Sequence, residues 1–103
     1  MDMSSASLRS EARVAMDQPA RYLGQLCKHF AHKLPVELSE TTGRITFPAT
    51  GVCRLTAEDG SLLLQAESPG LEALAQVEDV IARHLVRFAF REPPTITWTR
   101  LPD

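Results

Sequence analysis

Residues 54–67 read RLTAEDGSLLLQAE and carry the clearest β-hairpin signal in the chain. Asp59-Gly60 separates two runs of strand-forming residues, and this dipeptide is the composition that a two-residue type I′ turn favours. If these two residues form the loop, Glu58 faces Ser61 and the register follows outward from that pair. One face of the hairpin then carries the pairs Ala57–Leu62, Leu55–Leu64 and Cys53–Ala66. The side chain of Cys53 is therefore expected to point toward the core.

Alternating patterns on both sides of this hairpin predict further strands. Residues 8–16 alternate between charged and less polar side chains, which is typical of a half-buried strand. Residues 36–38 and 45–47 also alternate, and Thr42-Gly43 between them is expected to form the turn of another hairpin. TITWT, residues 95–99, predicts a short final strand with its apolar side chains on one side.

Two amphipathic helices complete the pattern. The first is expected over residues 17–34, with Asp17 as its N-cap and with Pro35 ending it by disfavouring helical geometry in the preceding residue. The second is expected to run from Ser68-Pro69 to about Phe90 because apolar residues recur there at steps of three and four. That apolar stripe consists of Leu71, Leu74, Val77, Ile81, Leu85 and Phe88.

The predicted order of elements is β-α-β-β-β-α-β. Two amphipathic helices bury their apolar stripes by covering one face of a largely antiparallel sheet, so we predict an α+β two-layer sandwich. The 103 residues are expected to form one domain, with residues 1–7 disordered and residues 8–101 folded. The uncovered face of the sheet is mostly polar, with Leu63 as an isolated exception, which favours a monomer or a weak homodimer.

Composition excludes several classes of protein. Eleven Lys and Arg stand against 13 Asp and Glu, which leaves no overall basic field for nucleic acid. No apolar run approaches the roughly 20 residues of a membrane span, and the N-terminal residues lack the pattern of a signal peptide. We therefore expect a cytoplasmic protein whose two cysteines are reduced thiols. No phosphate-binding loop, nucleophile elbow or dinucleotide fingerprint occurs in the sequence.

A thiol and two imidazoles lie close together in QLCKHFAHKL, residues 25–34. At ~100° per residue, Cys27 and His29 project roughly 160° apart around a helix, and His32 lies on the solvent side. The three side chains therefore do not form a metal site by themselves. A site that also draws on Cys53 and His84 stays open, as do a Cys–His nucleophile and the interpretation of the cysteines as small buried apolar residues.

Glu78 falls inside the apolar stripe of the second helix, where a carboxylate loses hydration. Burying an unpaired charge is costly, so we predict that a basic group, His29 or His84, holds Glu78 at the seam between the helices. His84 lies on the other edge of that stripe, so His29 is expected to neighbour either Glu78 or His84. The pairing is either a structural ion pair that fixes helix packing or part of a functional site.

With these residues described, the sequence resembles the small bacterial proteins grouped as domain of unknown function 2218. The resemblance rests on RYLGQLCKHFAHKLPVE (21–37), GRITFP (43–48) followed by GVCRL (51–55), and LEALAQVEDVIARHLVRFAFRE (71–92) with TITW (95–98). It covers roughly residues 8–99. The positions that carry over are Cys27, His29, His32, Cys53, Glu78, His84, Arg87 and Glu92.

The resemblance implies a link to iron uptake, because members of this family occur alone or attached to proteins that resemble flavin-dependent siderophore-interacting reductases. It implies an accessory or ligand-binding module whose partner is such a reductase or a small ligand, and it points to no particular cofactor. Two alternatives stay open: a metal-binding protein or small hydrolytic enzyme that uses Cys27, His29, Glu78 and His84, and a purely structural or interaction domain.

Overall fold

The computed structural model describes residues 7–89 and 91–102. Eight elements follow one another along this part of the chain. In order, they are β1 (Leu8–Ala15), α1 (Pro19–Phe30), β2 (Val36–Leu38), β3 (Thr42–Phe47), β4 (Gly51–Glu58), β5 (Ser61–Ser68), α2 (Leu71–Phe88) and β6 (Thr99–Arg100). Residues 1–6, most of the segment expected to be disordered, lie outside the described residues.

All six strands join one antiparallel sheet in the order β2-β3-β4-β5-β1-β6. Both helices pack on the same face of this sheet, and the core lies between the two layers. The predicted α+β sandwich is therefore confirmed. Each helix buries its apolar stripe against the sheet. No helix in the described ranges is long and apolar enough to cross a membrane.

The register of the β4–β5 hairpin is the predicted one. Glu58 pairs with Ser61, and Cys53 pairs with Ala66 on the core side of the sheet. The turn type was predicted wrongly. Type I′ requires positive φ at both central residues, whereas only Gly60, with φ of 77°, has it, and Asp59 does not. Positive φ at the second central residue alone is the type II pattern, and the Gly60 carbonyl here accepts a hydrogen bond of 3.0 Å from the N–H of Met16.

Both ends of α1 differ from the prediction. Gln18, in the left-handed region at φ 57°, precedes the helix in the place expected for Asp17. The helix ends at Phe30 rather than near Leu34. The N–H groups of Lys33 and Leu34 both donate to the Phe30 carbonyl, so a tight turn follows the helix before Pro35 directs the chain into β2.

The helix α2 begins later than predicted. Ser68 is the last residue of β5, where it pairs with Leu8, and it is therefore not an N-cap. Gly70 precedes the first helical residue, Leu71, because pairing with β1 keeps the chain extended through Ser68. The helix ends at Phe88, and the predicted end at Phe90 falls on a residue outside the described ranges.

Two predictions about the strands at the edges of the sheet are also wrong. Thr42-Gly43 is part of β3 rather than a turn, and residues 39–41 make the connection, with the Ser39 hydroxyl accepting the Thr42 N–H at 3.1 Å. The final strand, β6, begins only at Thr99, the last residue of the predicted TITWT segment. It pairs with Ser10 and Glu11 of β1. The residues just before it do not pair with another strand, although Ile96 and Trp98 pack against the core.

Candidate functional site

Glu78 is a buried carboxylate on α2, with 8% of the residue exposed. The Arg100 guanidinium donates two hydrogen bonds to it, from Nη2 to Oε1 at 2.8 Å and from Nε to Oε2 at 3.2 Å. The prediction that His29 or His84 holds Glu78 is therefore wrong. Glu78 faces the β1–β6 edge of the sheet, whereas both imidazoles lie where α2 meets α1.

Arg100 was missed at the sequence level, although a signal for it exists. Ile96, Trp98 and Arg100 lie at every second position, so an extended chain places them on one side. Ile96 and Trp98 pack against the core, and Arg100 in β6 pairs directly with Ser10 of β1. The alternation therefore places Arg100 on the same side of the chain as two core-facing apolar residues. This pattern could have identified Arg100 as the partner of Glu78.

Two opposing effects act on the pKa of Glu78. Burial raises it, but the hydrogen bonds and the positive charge of Arg100 lower it by more, and the pKa ends below its ordinary value. The buried Ser10 hydroxyl makes no hydrogen bond of standard geometry within the described residues, yet its proximity also favours the charged form. Glu78 is therefore an ionised structural partner at neutral pH rather than a proton donor.

His29 and His84 meet where the two helices pack. Their ring centroids are 5.0 Å apart, and the Phe30 ring lies 4.8 Å from His84 and 5.2 Å from His29. Phe88 completes this aromatic cluster at 5.5 Å from His29. The expectation that His29 neighbours Glu78 or His84 is thus met by His84.

The proton on His84 is placed by the helix backbone. Its Nδ1 lies 2.7 Å from the Val80 carbonyl, and because a carbonyl only accepts, Nδ1 carries a hydrogen. In the neutral ring, Nε2 is then the nitrogen with a free lone pair. The pKa of His29 is lowered, first by partial burial against its neighbours and then by the positive charges of His84, His32, Arg87 and Lys33.

The two cysteines are sealed in the core. Both are free thiols with no exposed surface, as expected for reduced, buried cysteines. Burial raises the pKa of Cys27 to about 11 and that of Cys53 to about 12. Since the thiolate is the nucleophile, these values disfavour a nucleophilic role at neutral pH.

The predicted candidates therefore separate into distinct places. His29, His32, His84 and Arg87 share the helix layer, the thiols lie beneath it, and Glu78 faces the sheet edge. Within residues 7–89 and 91–102, no group of three or more His, Cys, Asp or Glu side chains converges as metal ligands would. The residues proposed for a metal or hydrolytic centre do not assemble into one.

The helix layer has a charge pattern that composition alone conceals. Residues 18–34 and 80–91 contain six Lys and Arg, all three His and no carboxylate, although the chain as a whole has a net charge of −2. The six cations are exposed. We call this the basic helix surface, and its cations are Arg21, Lys28, Lys33, Arg83, Arg87 and Arg91.

A groove of about 340 Å³ opens on the basic helix surface. Arg21 and Tyr22 of α1 line it, together with Phe88 and Arg91 at the end of α2. The Arg21 guanidinium lies 6.0 Å from the centre of the Tyr22 ring. Of the six cations, Arg83 is held by Asp79 at 2.8 Å on the same helix. The groove thus combines aromatic rings with guanidinium groups.

Comparisons with known proteins agree with this architecture. Residues 11–99 match the model of DUF2218, described as an uncharacterized protein conserved in bacteria. The chain is similar to PA4090 from Pseudomonas aeruginosa, whose NMR structure superposes with a TM-score of 0.77 at 38% sequence identity. That match covers 89% of this chain and 95% of PA4090. The curated proteins yield no match.

Proposed function

Because this chain belongs to DUF2218, a bacterial family of uncharacterized proteins, we propose its function from its own geometry: it is a small binding module rather than an enzyme. Its ligand site is the basic helix surface. The ligand class that fits this surface is an anionic iron chelate, which would connect the module with siderophore handling in the cytoplasm. A flavin-dependent reductase that acts on such a chelate is the proposed partner.

The segregation of charge carries this proposal. Six cations lie in two segments without any carboxylate, and of the six Arg83 pairs with Asp79, which immediately precedes the second segment. Concentrated charge of one sign attracts ligands of the opposite sign and raises their local concentration. A structural role alone gives no reason to gather cations that repel one another on one layer.

The groove explains why an aromatic anion fits better than a simple one. Ferric catecholate complexes combine flat aromatic rings with negative charge on the oxygen atoms that coordinate the iron. Guanidinium groups stack on aromatic faces and also pair with oxygen anions, and Arg21 and Arg91 flank the rings of Tyr22 and Phe88. The surface therefore offers both kinds of contact.

The competing proposal, a hydrolytic or metal centre built from Cys27, His29, Glu78 and His84, has less support. Cys27 is fully buried with a raised pKa, and Glu78 is occupied by Arg100. A nucleophile must lie within hydrogen-bonding reach of its base and of the substrate. Only His29 and His84 are neighbours among these four residues.

Calorimetric titration with the ferric complex of 2,3-dihydroxybenzoate tests the proposal, with the cationic chelate ferrioxamine B as the comparison. Binding of the anionic complex alone is expected. The Arg21→Gln, Arg87→Gln double variant should weaken it by at least about tenfold, since interactions with charged groups are each worth roughly 1.5–3 kcal/mol.

Arg9→Gln is the control for each of the two single changes, because it removes one exposed arginine from the sheet. It should leave the affinity within about twofold of the parent protein, as expected for a distant surface charge. Equal affinity for the two chelates, or an equal loss in the control variant, would contradict a site on the helix layer.

A further inference from the structure

The face of the sheet that carries no helix presents an arginine pair. Arg44 of β3 and Arg54 of β4 are directly opposed in the antiparallel register. Both are exposed on the side away from the core. Like charges directly opposite each other on a sheet are destabilising. The fold therefore maintains a repulsive contact at this position.

The surrounding carboxylates compensate this pair only in part. Arg54 lies 3.3 Å from the Glu67 carboxylate on β5, with both side chains substantially exposed. Glu37 of β2 is the cross-strand neighbour of Arg44 on the other side. Yet the Arg44 side chain makes no ion pair or hydrogen bond with any part of the chain that the structure describes. One guanidinium of the pair thus keeps its full donor capacity.

A groove surrounds this arginine pair. It has a volume of about 450 Å³ and is lined by both guanidinium-bearing residues and by further polar side chains. Thr56 and Gln65 can donate hydrogen bonds to a ligand, whereas the Ser39 and Thr42 hydroxyls lie 2.6 Å apart and bond to each other. The Glu37 carboxylate also lines the groove. Hydroxyl and amide donors beside two guanidinium groups form a polar cradle rather than an apolar docking face.

We propose that this groove is a binding site for an oxyanion, the phosphate or carboxylate group of a small metabolite, held between Arg44 and Arg54. Guanidinium groups bind both kinds of oxyanion through two parallel hydrogen bonds. An anion between the two arginines replaces their repulsion with attraction and gives the Arg44 guanidinium a partner. The site lies on the opposite layer from the basic helix surface and does not depend on the function proposed there.

Residue-resolved NMR of the ¹⁵N-labelled protein tests the proposal. Inorganic phosphate and succinate are titrated separately, with sodium chloride at matched ionic strength as the reference. Saturable shifts are expected at residues 42–44, 54–56 and 65 with one or both oxyanions, and the tighter ligand identifies the group. Shifts that merely follow ionic strength, or saturable shifts confined to α1 and α2, would overturn the groove site.

Variants with opposite expected effects sharpen the test. Arg44→Gln should weaken oxyanion binding at the groove by at least about tenfold, because it removes a charged bidentate donor. Glu37→Gln should tighten binding, because it removes the carboxylate nearest to Arg44 along the register. Arg83→Gln on α2 removes the same charge as Arg44→Gln from the other layer and should have no effect at the groove.

A second measurement guards against a variant that simply unfolds. If Arg44 is kept for a ligand, Arg44→Gln should melt at the same or a higher temperature than the parent protein in chloride, because a repulsion is relieved. It should also lose the rise in melting temperature that the oxyanion gives the parent. A variant that retains the full rise, or a parent protein without any rise, would refute the proposal.

Discussion

Glu78 and Arg100 join the middle of α2 to the last strand of the sheet through a two-point ion pair, and the two partners are unequally buried. The side chain of Glu78 is 10% exposed and that of Arg100 is 46% exposed. The carboxylate therefore depends on the guanidinium for most of its polar contacts, while the guanidinium still has access to water. This inequality decides how the pair responds to substitution.

Arg100→Ala is expected to destabilise the protein more than Glu78→Ala does. The first change leaves a buried carboxylate without a partner, whereas the second leaves an arginine that water can solvate. We expect Glu78→Ala to cost about 1–3 kcal/mol and Glu78→Leu to cost less, because leucine fills the space without a charge. Urea unfolding measures all three, and a smaller loss for Arg100→Ala than for Glu78→Ala would contradict the prediction.

Acid should remove the stabilisation that Glu78 supplies. Its folded pKa lies below its unfolded value of about 4.5, so the contribution is complete above that pH and disappears as the pH falls through the folded pKa. The stability difference between the parent protein and Glu78→Gln should therefore stay constant down to about pH 4.5 and shrink as the pH falls further. Glu72→Gln, an exposed change on the same helix, is the control. A difference that stays constant with pH would rule out the linkage.

Gly43→Ala should disturb the core at Cys27. A Cβ at position 43 would lie 2.5 Å from the Cys27 sulfur, and overpacking of this kind costs about 1–3 kcal/mol. In a Cys27→Ala background the sulfur is gone, so the two changes should be markedly non-additive. Gly24→Ala, where a Cβ would meet nothing within 4 Å, is the control. Additive unfolding energies would show that the clash is relieved in another way.

Gly60→Val should weaken the β4–β5 hairpin through its backbone alone. Gly60 has φ of 77°, and a Cβ there would meet no atom within 4 Å. The expected cost is about 1–2 kcal/mol, since a β-branched residue resists this region of φ. Gly60→Asn should cost less because asparagine tolerates left-handed geometry. Thermal unfolding distinguishes them, and an equal loss in both variants would point to a cause other than φ.

Anion binding to the basic helix surface should strengthen as the pH falls. The pKa of His29 is depressed in the free protein by partial burial and by His84, His32, Arg87 and Lys33, and a bound anion opposes those charges. Binding is therefore coupled to proton uptake below the ordinary pKa of about 6.5. Titrations with the ferric catecholate at several pH values should show a slope that His29→Gln reduces. An unchanged slope in that variant would place the proton elsewhere.

Local pattern was sufficient for much of this fold. Asp59-Gly60 and the alternation around it predicted the register of β4 and β5 residue by residue, because a two-residue loop leaves one possible pairing. The turn type needed tertiary information. The Gly60 carbonyl of the turn accepts a hydrogen bond from the N–H of Met16, which lies more than 40 positions away in the chain.

The candidate site was predicted less well, for a related reason. A helical wheel correctly made Glu78 a buried carboxylate in need of a cation, and it made His29 a neighbour of Glu78 or His84. It says nothing about which element covers each side of the helix. The β1–β6 edge covers the side of Glu78, so Arg100, 22 residues away, is its partner. The basic helix surface also emerges only when α1 and α2 pack side by side.

The strand order has a consequence for how the chain reaches its folded state. The strands from β2 to β5 pair with their neighbours in sequence, and such contacts close short loops at low entropic cost. The strand β1 instead pairs with β5, which is distant in the sequence, as the pair Leu8 and Ser68 shows. The strand β6 pairs with β1. Non-local pairing of this kind slows folding, so we infer that β1 and β6 join the sheet after β2 to β5 have paired.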